Sequence, residues 1–403
     1  MISKFNCIFK YIDEPQYLIF SMLWLIVILP KPFQLLYFMG IAFLLCKKRG
    51  FKLKIEGAAK AMLCIFFTQV FAITYNVLII QNDISRVPAA INTALLWFVA
   101  AIFYTTFSDI KSIDIIKIGK YCCFNLIVLG GWSLLTIYLY YFKGYDDFSI
   151  LGKLLYTTTY LAGESTTKFM GLNDFSNMNL IFIMLMIALG IPYLKTKSIV
   201  YQFTIIFITV LSVILIHSRS GFVLFGISMI YCYFKLLPKK YKKMVKYIAI
   251  ALGIIMILLF FRQIWQIFMS KIIMGNESSN NFRILLLRTS LEETWSKSPI
   301  WGMGIKRYLY VGFPLGSHST YVGFFYKTGF IGLILGVYVF AKTNIRAIAN
   351  IKQNYYIQTI LLFLISFVVL FAIEDVDGAN WCIILYFSTL AFLPNLNHPK
   401  EII

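Results

Sequence analysis

Acidic residues are scarce in this chain, and so is charge of any kind. Of 403 residues only 17 are Asp or Glu against 37 Lys or Arg, charged residues make up 13%, and there are three histidines. That leaves little material for a metal site: no carboxylate or second His stands at ligand spacing from His318, and His217 is far off in sequence. The seven cysteines, at 7, 46, 64, 122, 123, 232 and 382, form no CxxC pair. They fall in apolar segments or on the predicted cytoplasmic side, which excludes a disulfide framework in the outward loops and assigns them no chemistry. No A-x-A-like cleavage site follows a short apolar run near the start, so the first membrane helix is expected to act as an uncleaved signal. Heptads, internal repeats and low-complexity linkers are missing too, and a single domain over 1–403 is expected.

What is present in excess is apolar surface. Hydrophobic residues are 60% of the chain, where a soluble domain carries about 45–50%; lipid must cover part of it. The expected fold is an all-α polytopic integral membrane protein. Runs long enough to cross a bilayer, about 20 residues each, number about twelve: 15–30, 32–46, 58–80, 89–107, 119–142, 177–194, 198–216, 221–236, 245–261, 320–341, 356–374 and 379–394. The first two share one stretch interrupted by Pro30-Lys31-Pro32, a tight turn or a kink. A net charge of +20 would suggest nucleic acid on a soluble chain. Here the cations sit in short runs between apolar segments: Lys47-Lys48-Arg49, then Lys111, Lys117 and Lys120, then Lys195 and Lys197, then Lys239 to Lys243, then Lys342, Arg346 and Lys352. All follow even-numbered spans, so they mark the cytoplasmic side, place both termini there, and argue against a nucleic-acid partner. The outward side then holds long connections at about 143–176 and 262–319, and the latter is expected to be partly helical.

Three outward features carry candidate chemistry. In His217-Ser218-Arg219-Ser220-Gly221 an Arg lies at a span end; it reads either as an interfacial side chain snorkelling to headgroups or as a phosphate ligand, whose planar fork can donate two hydrogen bonds. From Asn280 or Asn281, a capping type, Ile284, Leu287, Leu291 and Trp295 recur at helical spacing until Ser298-Pro299, predicting a helix on the membrane surface. Arg283 in its first turn would oppose the helix dipole, so it reads as part of an anion site or as a solvated cation. Arg288 has a plainer partner in Glu292, four residues on. In Gly316-Ser317-His318-Ser319-Thr320-Tyr321, followed by Gly329 and Gly332, His318 stands at the mouth of a span among small polar residues. It reads as a hydrogen-bonding residue or as a base for a sugar hydroxyl. Glu374, Asp375 and Asp377 read first as a solvated span end, and second as ligands for sugar hydroxyls or holders of the arginines.

At these residues the sequence resembles the O-antigen polymerase and O-antigen ligase superfamily. The resemblance runs from about 168 to 335 and rests on Ser218-Arg219, on Arg283, on Pro299, Gly302 and Gly304, and on His318, Ser319, Tyr321, Gly329 and Gly332. A weaker part is Gly171 to Asn177, with Lys168 standing nearest to an Arg that relatives carry upstream. The resemblance implies a multi-spanning glycosyltransferase that works without metal or other cofactor and inverts the sugar. Arg219 and Arg283 would hold the diphosphate of an undecaprenyl-linked glycan, and His318 would orient or deprotonate the acceptor hydroxyl. Arg288, Ser319, Tyr321, Lys168, Asn177, Glu374 and Asp377 are the candidate substrate-binding residues. Implied partners are lipid-linked donor and acceptor, the bilayer of a bacterial inner membrane, and a chain-length regulator. The His-Ser variant and the Phe/Tyr-rich texture favour a polymerase of repeat units over a ligase that transfers glycan to lipid A–core. A transporter of lipid-linked sugars is the third reading; such proteins show repeats and charges at mid-membrane, whereas the polar residues here cluster at span ends.

Overall fold

The computed structural model describes residues 14–55, 57–80, 84–110, 113–145, 147–150, 153–161, 164–169, 176–216, 247, 277–310, 313–350, 355–372, 374–376 and 379–396. Helices dominate because apolar runs can satisfy their own backbone groups in lipid only internally. The first expected span is not one helix: Pro15–Tyr17, Leu18–Ser21 and Leu23–Ile26 are short turns, and the chain then reverses at Pro30 into α1 (Lys31–Lys48). Gln34 closes that reversal by donating to the Leu29 carbonyl at 2.8 Å. α2 (Ala58–Tyr75) continues into a π-helical turn over Asn76–Ile80, and α3 (Val87–Ser108) and α4 (Ile115–Lys143) follow. Asp114 caps α4 by accepting from the Ile116 and Lys117 amides at 2.9 and 3.1 Å, satisfying two donors the helix cannot. Next come α5 (Ser176–Leu194), α6 (Ile199–Ile216), α7 (Glu277–Lys297), α8 (Thr320–Asn350), α9 (Tyr355–Leu370) and α10 (Asn380–Phe392).

Among the described residues four helical stretches are long and apolar enough to cross a membrane: Ala58–Ile80, Ile84–Ser108, Ile115–Lys143 and Thr320–Ala349. Shorter apolar helices cover Leu180–Leu194, Ile199–Ser212 and Ile357–Leu370. The expected spans 221–236 and 245–261 lie outside the described residues. The chain is a membrane protein. α10 is buried at every position, so it runs through the centre. Around it Trp97 of α3 packs at 5.3 Å from Phe324 of α8 and 5.8 Å from Phe387 of α10, the spacing of favourable aromatic pairs.

The connection 143–176, expected to be a loop, contains an antiparallel sheet of β1 (Asp147–Ile150), β2 (Lys153–Leu161) and β3 (Glu164–Phe169) in sequential order. A short hairpin of β4 (Tyr308–Tyr310) and β5 (Phe313–Pro314) follows α7. α7 also starts earlier than its Asn280-Asn281 signal implied. Arg283 is therefore the seventh residue of the helix rather than part of its first turn, and the dipole argument for an anion site there lapses, since that field fades within one turn.

Candidate active site

The turn after α7 is woven into α8. Gly329 adopts φ 61°, ψ −159° and breaks that helix. In an unbroken helix the carbonyls of Tyr326 and Lys327 would accept from the amides of residues 330 and 331. Instead they accept from Met303 at 2.6 Å and Gly304 at 3.0 Å, while Phe330 donates to the Pro299 carbonyl at 2.9 Å. The two motifs read separately in the sequence, Pro299-x-x-Gly302-x-Gly304 and Gly329-x-x-Gly332, thus complete each other's backbone bonding. A Cβ at Gly304 would collide with the backbone of Ala72 in α2, and one at Gly302 with the backbone at Thr328-Gly329. Ile305 then buries beside Ile73, Ala90 and Ala94, and Asn76 of the π turn donates to the Met303 carbonyl.

This weave fixes the segment that carries His318. The Gly316 amide donates to the Ser290 hydroxyl of α7 at 2.8 Å. On the other side the Thr320 amide donates to the carbonyls of Phe371 and Glu374 at 2.8 and 3.0 Å. The Thr320 hydroxyl donates to the Glu374 carbonyl at 2.7 Å and accepts from the Val376 amide at 3.0 Å. Between these anchors His318 is held at φ 65°, a left-handed conformation that costs free energy and persists only where surroundings impose it. Ser319 beside it is buried, and its hydroxyl accepts from the Val322 amide at 3.4 Å.

Charge gathers here. Arg283 lies 3.8 Å from the Glu374 carboxylate, and Lys306 pairs with Asp375. Both carboxylates are largely buried, with side-chain exposures of 9% and 13%, so the reading of this group as a solvated span end fails for Glu374 and Asp375. Asp377 lies outside the described residues. Burial first, then the nearby cations Arg283 and Lys306, push the His318 imidazole down to about 4 against the opposing pull of Asp375. At neutral pH it is therefore uncharged and able to accept a proton.

Of the other expected site residues, Arg288 pairs with Glu292 at 2.7 Å on the exposed face of α7, as its plainer reading had it. Tyr321 donates to the Val368 carbonyl at 3.0 Å and lines a cavity of about 610 Å³ between α7 and α8, with Leu291, Trp295, Phe325, Phe330 and Leu333. Lys168 is placed opposite Thr157 in the sheet, and Asn177 is the second residue of α5. Arg219 lies outside the described residues. Two cations were missed by sequence reading. Lys306 follows Gly304 by two residues, and Lys327 is buried in α8 beside the break. A lone Lys inside an apolar span is a functional candidate by default, and that signal was available.

Residues 204–337, about a third of the chain, match the family model described as O-antigen ligase. This stretch is similar to the O-antigen ligase family, which supports the resemblance to the O-antigen polymerase and ligase superfamily. No curated protein matches the chain. The superfamily match contains Arg219, Arg283, His318 and both glycine motifs.

Proposed function

We propose that this chain polymerises lipid-linked oligosaccharide repeat units by metal-independent, inverting glycosyl transfer on the outer face of a bacterial inner membrane. The observation that carries the reading is His318, half-buried at the entry to α8 and held beside the Arg283 guanidinium and the Lys306 ammonium. The acceptor hydroxyl gives its proton to a ring nitrogen of His318 while its oxygen bonds to the anomeric carbon of the donor glycan. The bond from that carbon to the diphosphate breaks, and its electron pair leaves on the diphosphate oxygen. Arg283 and Arg219 stabilise the charge that develops there, and the imidazolium later returns its proton to water. Ser319, Lys168, Asn177, Arg288 and Asp377 remain candidate contacts for the sugars. The apolar cavity between α7 and α8 suits the polyprenyl chain: the stripe of Ile284, Leu291 and Trp295 stays exposed, while α7 buries Leu286, Ser290, Glu293 and Thr294 against protein.

The test is complementation of a polymerase-deficient strain. Arg219→Ala, Arg283→Ala and His318→Ala are expected to insert and to leave single repeat units; long polymer in all three would reject the proposal. The family description favours a second reading, a ligase, and purified lipid A–core accepting glycan in the protein's presence would select it. Tags in 262–319 and at both termini test the orientation, with only the former expected to be reached from outside.

A further inference from the structure

Among the described residues Arg283, Lys306 and Asp375 act on His318, Glu374 pairs with Arg283, and the buried Lys327 of α8 lies near Lys306 and Asp375. They divide into two sets. Glu374 faces Arg283. Asp375 is paired with Lys306 and lies within electrostatic reach of both His318 and the buried Lys327. Its backbone is pinned, because Glu374 and Val376 on either side bond Thr320, two residues from His318. Asp375 is thus the carboxylate that acts on the imidazole, and it is held by three separate parts of the chain.

We propose that Asp375, clamped by Lys306 and backed by Lys327, is a positioning residue that sets the proton affinity of His318 and stabilises the imidazolium formed as the acceptor hydroxyl is deprotonated. The proposal rests on the glycosyl-transfer reading above for its catalytic part. The physical need is plain. A proton moved onto His318 adds a cation beside Arg283 and Lys306, while Glu374 is engaged with Arg283. Asp375 gains attraction as that charge appears, and Lys306 and Lys327 stop it from swinging away or taking the proton itself. The arrangement makes opposite predictions for its two halves: loss of Asp375 lowers the affinity of His318 for a proton, and loss of Lys306 raises it.

The experiment uses the full-length protein in nanodiscs and follows carbethoxylation of His318 by diethyl pyrocarbonate against pH, read on the peptide that contains it, for wild type, Asp375→Asn and Lys306→Met. The midpoint is expected to fall in the first variant and rise in the second, each by about one pH unit, with turnover reduced about tenfold in Asp375→Asn. Glu374→Gln serves as the comparison variant and is expected to move the midpoint less than either. Midpoints that stay put, or that move the same way in Asp375→Asn and Lys306→Met while both variants keep wild-type melting behaviour, overturn the proposal whatever the polymer assay shows. Opposite shifts with unchanged turnover overturn its catalytic part, and then His318→Ala separates the causes: if it too retains activity, the glycosyl-transfer reading falls with it.

Discussion

The two ends of the bundle both carry ion pairs, but they bury opposite partners. At one end Arg49 donates to Asp109 at 2.6 Å and to the Thr106 carbonyl at 2.5 Å. Arg346 donates to Ser108 at 3.2 Å, Asn395 donates to the Ser108 and Ile110 carbonyls at 2.7 and 3.2 Å, and Lys117 pairs with Glu14. The carboxylates there stay half in solvent, at 50% for Asp109 and 42% for Glu14. At the other end Glu293 is 5% exposed and takes Lys297 at 2.8 Å on one oxygen and Arg307 at 2.7 Å on the other. Glu374 and Asp375 are nearly as deep. An exposed pair is worth about 0–1 kcal/mol, whereas removing one member of a buried set strands the other and costs about 3–5 kcal/mol. The first end closes the chain on itself; the second confines charge, the condition under which ionic groups perturb one another and reactive ones can be tuned.

That contrast can be broken or sharpened by substitution. The largest effect is expected from His318→Ala, which should lower glycan transfer by about 10²- to 10⁴-fold with melting in detergent little changed; comparable product ladders from mutant and wild type would remove the imidazole from the chemistry. Next is Gly304→Val. It puts a branched side chain onto the α2 backbone at a residue with φ 67°, and accumulation of folded protein is expected to collapse, as judged by size-exclusion profile. Glu293→Ala should cost about 1.5–3 kcal/mol, seen as a lowered melting temperature, because two half-exposed cations lose their shared carboxylate. Arg49→Ala at the opposite end should cost at most about 1 kcal/mol, and Arg288→Ala should leave the melting temperature unchanged; equal losses at Glu293 and Arg49 would erase the distinction between the ends.

Acid adds a further test. His318 takes its proton near 6.5 when unfolded and near 4 when folded, so between those values the unfolded chain binds more protons. Its contribution to stability is complete above about pH 6.5 and is lost as pH falls toward 4. The melting temperature of His318→Asn should therefore decline less than wild type over that window.

Hydropathy made most of the helices legible, because a span must be apolar wherever it meets lipid. Pro30 likewise announced an interruption, leaving turn or kink open, and Ser298-Pro299 announced the end of α7. The start of α7 was misplaced because Asn280 and Asn281 are good capping residues that the structure uses inside the helix instead. The sheet over 147–169 was read as a loop although Tyr156 to Tyr160 and Ser165 to Thr167 are rich in Thr and Tyr, types that favour strands. Within the site, His318 and Arg283 stood out by chemistry, whereas Lys306 and Asp375 did not, since nothing in either segment marks the other as its partner. The exchange of bonds between residues 299–304 and 326–331 was hidden for a related reason: it is made by backbone groups, which every residue possesses, and only the glycines hint at it.

The interrupted helix has a mechanical consequence. Its first third, which follows directly from His318, gives its last carbonyls to the turn at Met303 and Gly304 rather than to the rest of its own span. A displacement of that turn therefore reaches the segment of the imidazole without first passing through the transmembrane rod, and this piece of α8 behaves as a lever fastened at its far end.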